Sequence, residues 1–184
     1  MFDFLRRLAP HRPSRSRSEQ TRPGVQLLAS VLVCFPEIET VSYDPHQELL
    51  TMDFVVRSPF ASEEITAFAA FLAESIETYH VIEGGEASVV DFGYEQHDAL
   101  TILHLARPMD ELSERELNLT VQLLTERFGE ALLVDPHGVE TLDAEFRMLQ
   151  HETLERMLVA VREIPLRERL VGIRERDQVV VYNR

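Results

Sequence analysis

The chain is predicted to be a mainly antiparallel α+β protein: an N-terminal helix, two ββα units, a long C-terminal helix and a terminal β-hairpin. Three observations predict it. Two stretches, Ile38–Arg57 and Ala87–Ala106, alternate apolar and polar residues around polar turns. Each runs into a segment with apolar residues at helical spacing, opened by Ser62 and by Ser113. A third helical pattern from Thr141 is stopped by Pro165 and leads to a short valine-rich run.

Residues 1–23 carry six arginines against Asp3 and Glu19, a net +4, and from Ala9 onward they are mostly proline, serine and arginine. Such a stretch cannot bury enough apolar surface to offset its ordering entropy, so a disordered basic tail is predicted. Order is predicted to begin near Pro23-Gly24, with an apolar helix over Val25–Phe35 that Pro36 ends. Residues 24–184 then form one acidic α+β domain.

In the first unit (about 38–80), strands Ile38–Tyr43 and Leu49–Arg57 flank the turn Asp44-Pro45-His46-Gln47. Pairing Tyr43 with Leu50 and Val41 with Met52 places Val41, Tyr43, Leu50, Met52 and Phe54 on one face. The helix after Ser62 turns Ile65, Phe68, Ala69, Leu72, Ile76 and Tyr79 to one side. The second unit (about 87–130) follows Gly84-Gly85, with strands Ala87–Tyr94 and Ala99–Ala106 around Glu95–Asp98. Pairing Tyr94 with Thr101 gives it a matching apolar face of Val90, Phe92, Tyr94, Leu103 and Leu105. Ser113 to Glu116 reads as a capping box that starts a helix bearing Leu117, Val121, Leu124 and Phe128. Tyr43, His46, Leu49, Ser62 and Glu63 recur as Tyr94, His97, Leu100, Ser113 and Glu114, each 94 − 43 = 51 positions later, as an internal duplication would leave them.

A short apolar run, Ala131–Asp135, precedes a long helix over Thr141–Glu163 with the stripe Leu142, Phe146, Leu149, Met157, Val161 and Ile164. The terminal hairpin pairs Leu170–Ile173 with Gln178–Tyr182 and turns at Arg174–Asp177. Val179 to Tyr182 are apolar on both sides, which predicts a last strand buried inside a sheet or an interface. The passage Phe35-Pro36-Glu37-Ile38-Glu39-Thr40-Val41, followed by a turn and a second strand, resembles the helix-to-hairpin passage of ferredoxin-like domains. It is similar in heavy-metal-associated domains, whose Cys-x-x-Cys is absent here. The resemblance implies ferredoxin-like character in the fold and no function.

Charge and composition exclude several function classes. Without the tail the chain carries 12 basic against 30 acidic residues, or −18, which repels phosphate backbones and makes nucleic acid an unlikely ligand for the body. All 18 basic residues are arginine, in keeping with a GC-rich bacterial genome. Schiff-base and P-loop lysines are therefore excluded, and no glycine-rich phosphate loop is present. The single cysteine, Cys34, sits among apolar residues and reads as a small buried hydrophobe, with no internal disulfide or multi-thiolate metal site available. No stretch approaches a membrane span, so a cytoplasmic location is predicted. No cofactor or metal site is predicted.

Asp91 and His104 form the most pointed pair. In the register above they lie opposite one another on the polar face, with Asp53 on the same side and Ser42, Thr40 and Thr51 as the nearby hydroxyls. A carboxylate beside an imidazole can fix its tautomer and raise its basicity; the plainer reading is an exposed cross-strand pair. His46 and His97 occupy matching turns near Asp44, Glu48, Glu95 and Asp98, a constellation that would bind metal if the two tips met.

At the N-terminus, a helix would bring Phe4, Leu5 and Leu8 together, with Phe2 beside them and Arg6 and Arg7 toward the polar side. That is the pattern of a small peripheral-membrane anchor or docking peptide. The expected function is a non-catalytic interaction or regulatory module, homodimeric through its long helix and last strand. Its tail would meet a membrane surface or an acidic partner. The alternative is a small enzyme or ligand-binding protein working from Asp53, Asp91 and His104.

Overall fold

The computed structural model of the chain describes residues 18–136, 144–175 and 178–183. Its elements are helix α1 (Ser18–Cys34), strands β1 (Thr40–Asp44) and β2 (Leu49–Val56), α2 (Ser62–Ile82), β3 (Asp91–His97), β4 (Leu100–Pro108), α3 (Glu114–Phe128), α4 (Ala144–Glu163), β5 (Leu170–Glu175) and β6 (Gln178–Asn183). The six strands form one sheet in the order β3-β4-β2-β1-β5-β6, and every neighbouring pair is antiparallel. The chain is thus an α+β protein on a mainly antiparallel sheet. The ferredoxin-like likeness is not confirmed beyond the helix-to-hairpin passage that carries it, the described elements running α-β-β-α-β-β-α-α-β-β.

Alternation explains the two faces. Val41 and Tyr43 on β1, Leu50 to Val56 in steps of two on β2, and Leu103 and Leu105 on β4 are all nearly or fully buried beneath the helices. The first hairpin pairs Tyr43 with Leu50 and Val41 with Met52, as the sequence predicts. The Asp44 carboxylate accepts from the His46 amide at 2.9 Å, and Glu48 takes a positive φ of 56° to close the four-residue loop. The second hairpin differs. Its loop is only Asp98-Ala99, with Asp98 at φ 48°, so Tyr94 pairs with Leu103 and Thr101 with Gln96. The slip from the predicted register is two residues, which keeps every side chain on its predicted face but changes its neighbour.

The described α-helices cover the buried face, α4 lying on α1 and α3. Leu27, Leu28, Val31 and Leu32 of α1 cover β1, β5 and β6. The helix begins at Ser18, so residues 18–23, predicted as tail, are helical. Pro23 stands inside it, in the second turn. Gly24 is a packing glycine rather than a boundary: a Cβ there would come within 2.5 Å of a Leu170 methyl. The C-terminal end of α1 is capped from afar, because Arg174 on β5 donates to Leu32 O and, just beyond the helix, to Phe35 O at 3.0 Å and Ile38 O at 2.9 Å. Arg174 also pairs with Asp135 at 3.0 Å.

The α2 stripe buries Ile65, Phe68, Leu72 and Ile76, with Phe68 set edge-on to Phe92 and Phe128. On α3, Leu117, Leu124 and Phe128 are buried. Two predictions for the C-terminal third are corrected. Helix α4 packs on α1 and α3 through Leu154, Leu158 and Val161, whereas Phe146, Leu149 and Ile164 of the predicted stripe are 48%, 55% and 77% exposed. Both sets have helical spacing, so contact with α1 and α3 made the choice; Val161 belongs to both and Met157 is partly buried against the core, while Leu142 lies outside the described residues. Strand β6 is an edge strand, so of the two predicted places for it the sheet interior is overturned, β5 standing there between β1 and β6. No described helix is long and apolar enough to cross a membrane.

Candidate functional site

Two polar clusters stand out, one on each face of the sheet. The open face carries the first. Asp53 on β2 and His104 on β4 are direct cross-strand partners, and Asp53 Oδ1 lies 2.8 Å from His104 Nδ1. A carboxylate can only accept, so Nδ1 carries the proton, and in the neutral ring Nε2 is then the acceptor. The two side chains are 25% and 31% exposed, yet Nε2 itself is covered and has no hydrogen-bond partner among the described residues. Gly93, directly opposite His104 on β3, leaves open space where a side chain would stand. Thr40 flanks Asp53 from β1, and Ser42 pairs with Thr51 nearby.

The predicted trio is therefore divided. Asp53 and His104 are joined, but Asp91 pairs with Ala106 and is exposed two residues further along. The shorter β3–β4 loop is the reason. His97 contacts Glu95 at 3.3 Å in an exposed setting, and among the described residues no three histidine, cysteine, aspartate or glutamate side chains converge as a metal site would need. Phe2, Phe4, Leu5, Arg6, Arg7 and Leu8 lie outside the described residues.

The second cluster is buried. Arg107, on the helix-facing side of β4, is 0% exposed and Glu116 on α3 is 1% exposed. Arg107 Nε donates to Glu116 Oε1 at 2.6 Å, while its terminal nitrogens donate to Glu116 Oε2 at 3.3 Å, to Glu111 Oε2 at 3.1 Å and to Val89 O. His80, near the C-terminus of α2, places Nε2 2.6 Å from Glu116 Oε2. That nitrogen must donate, so the Arg107 nitrogen 3.2 Å away is a second donor converging on the same carboxylate rather than its partner. Glu111 is fixed by Ser88, whose amide donates at 3.1 Å and whose hydroxyl donates too. Burial pushes the Glu111 pKa up, but the Ser88 bonds and the Arg107 guanidinium outweigh it and hold the carboxyl below its usual range.

A polar cavity of about 420 Å³ opens beside this cluster, lined by Tyr79, His80, Glu111, Ser113, Glu155 and Arg162 among others. The Ser113 hydroxyl accepts from the Glu116 amide at 3.1 Å, so the predicted N-cap is present. The Glu116 carboxylate, predicted to complete a capping box, is turned onto Arg107 instead. Glu155 from α4 accepts the Glu114 amide at 2.8 Å, which fills the positive end of α3 with a carboxylate of the chain itself. His151 bonds Glu114 at 2.6 Å and meets Phe35 edge-on at 5.4 Å.

This cluster is absent from the sequence-based site list, although the signal was there. Arg107 continues the inward series 101, 103, 105, 107, and Glu116 starts the buried series 116, 120, 124. A charge in each of two buried series is a paired ion waiting for its partner. Cys34, predicted to be buried, is half-buried; burial and then Glu114 push its thiol up to about 12, away from the thiolate a nucleophile would need. Comparison with protein-family models, curated proteins and solved structures returns no match to this chain.

Proposed function

We propose that the chain is a non-catalytic interaction or regulatory module whose working surface is the open face of the sheet with edge strand β6. One observation carries this reading. Among the described residues α4 packs on α1 and α3 over the buried face, and the open face bears Leu49, Val55, Ile102, Val171, Ile173, Val180 and Tyr182 around the polar Thr40, Ser42, Thr51, Asp53 and His104. An antiparallel sheet face left to water ordinarily reads polar. Apolar residues in such number on this face, densest on β5 and β6 beside a free strand edge, suit a second polypeptide, here a second copy of the chain. The buried Arg107–Glu116–His80 cluster fits a structural role in such a module, since its donors and acceptors are satisfied internally.

Sedimentation velocity over a concentration series tests the proposal. The full chain is expected to dimerise reversibly, and Val180→Lys, which puts a charge on the edge strand, to stay monomeric. A chain that is monomeric throughout, or one indifferent to Val180→Lys, would sink it.

The covered, unpartnered Nε2 of His104 favours a second reading, a small enzyme or ligand-binding protein using Asp53 and His104. Turnover of simple ester or phosphoester substrates, lost in His104→Gln, would support it. No turnover in the full chain together with a stabilised His104→Phe variant would end it.

A further inference from the structure

Arg174 sets the hydrogen-bond phase of the last hairpin. Its amide donates to Glu39 O at 3.3 Å, on the β1 side of β5. Alternation then turns the backbone groups of Val171, Ile173 and Glu175 toward β6, where their register partners are Tyr182, Val180 and Gln178. Only two residues separate Glu175 from Gln178, so that pair can close only by bonding each other, which is the same phase. The amides and carbonyls of Val179, Val181 and Asn183 therefore point outward along the free edge, where no described strand meets them.

We propose that β6 pairs with β6 of a second copy, antiparallel about a two-fold axis at Val181, so that two six-stranded sheets become one continuous sheet. This pairing rests on the open face and its edge being the working surface, and it commits that surface to backbone bonding across the edge rather than to stacking of two open faces.

Charge selects this edge over the other. Strand β3 at the far side of the sheet carries Asp91 and Glu95, both exposed and both on the open face. Pairing β3 with its own copy would gather the carboxylates of both chains on one face of two neighbouring strands. From Gln178 to Asn183, β6 has no charged side chain. Two copies of a chain with a net charge of −14 meet with least repulsion where carboxylates are absent. With one edge bare and the other guarded, the assembly closes at two.

The outward groups fix the register. Centred on Val181, Val179 bonds Asn183 of the copy, Val181 bonds Val181, and Asn183 bonds Val179. A shift of two residues in either direction leaves Val179 or Asn183 without a partner on β6. Between these lie Val180 and Tyr182 of the copy, a non-hydrogen-bonded pair whose Cα atoms stand about 4.5 Å apart. Both side chains are on the open face, and Tyr182, 44% exposed in one copy, is then covered by a β-branched neighbour.

The test joins sedimentation velocity with disulfide cross-linking. Val181→Pro removes an outward N–H and leaves the bonds to β5 in place, so it is expected to keep its far-ultraviolet circular dichroism and to stay monomeric where the parent chain is a dimer. Val180→Cys and Tyr182→Cys, made singly in a Cys34→Ala background and mixed before oxidation, are expected to give the mixed disulfide several-fold in excess of either homodimer, since the pair lies inside the disulfide range of about 4.4–6.8 Å between Cα atoms. A parent chain that is monomeric throughout overturns the working surface and the pairing together. A dimer that Val180→Lys abolishes but Val181→Pro leaves intact, or a mixed disulfide no more abundant than the homodimers, overturns the edge pairing alone and leaves stacked faces in its place. If Val181→Pro loses its circular dichroism, the cross-link ratio decides. Assembly that grows past two copies overturns the closure assigned to β3.

Discussion

Replacing Arg107 with methionine isolates the worth of the buried ionic cluster. Methionine fills similar length but donates nothing, so Glu116, at 1% exposure, keeps only His80. Four acceptors lose a charged donor: both Glu116 oxygens, Val89 O and Glu111 Oε2, of which Glu111 retains Ser88 and some solvent. Breaking a buried pair by removing one partner costs about 3–5 kcal/mol, against a total stability of roughly 5–15 kcal/mol for a domain. For a chain of this size that corresponds to a fall of about 6–20 °C in Tm. Urea denaturation followed by far-ultraviolet circular dichroism would measure it as a lower midpoint at unchanged slope. The double variant Arg107→Met/Glu116→Leu removes both charges and is expected to recover most of the loss, because a matched apolar pair carries no desolvation penalty. A loss below about 1 kcal/mol, or a double variant as unstable as the sum of the singles, would refute the reasoning.

Two further outcomes follow from the same structure. Glu111 has a folded pKa below its unfolded value of 4.5, so its stabilisation is present above that value and is lost as pH falls through the folded pKa. Ser88→Ala should therefore lower Tm at neutral pH, and the gap to the parent chain should close in melts recorded well below pH 4.5; a gap that stays constant with pH would remove Glu111 as its cause. Gly24→Ala should cost about 1–3 kcal/mol in chemical denaturation even though alanine ordinarily favours a helix, because its Cβ meets Leu170 at 2.5 Å and Leu166 at 3.2 Å. A stabilised variant would show that α1 is free to move off β5.

How far the site was legible depends on which contacts are local. Asp53 and His104 could be placed on one face by counting in twos, and they share it. Their direct pairing could not be read, because it joins β2 to β4 across 51 residues. Asp91 was set opposite His104 by borrowing the four-residue loop of the first hairpin, and the real two-residue loop moves it to Ala106. On α4, several apolar stripes compete in one sequence, and only contact with α1 and α3 chose Leu154, Leu158 and Val161.

By itself the sequence determined the class of fold, the order of its elements, and which face each strand residue takes. Those follow from chain-local periodicity, proline and turn chemistry, and a two-residue slip in register leaves them intact. Only the tertiary structure decided the lateral order β3-β4-β2-β1-β5-β6, the edge position of β6, and the meeting of Arg107, Glu116 and His80. Each of these is a choice among distant partners of similar local character, settled when packing brings buried charges together and leaves one apolar face of the sheet without a helix.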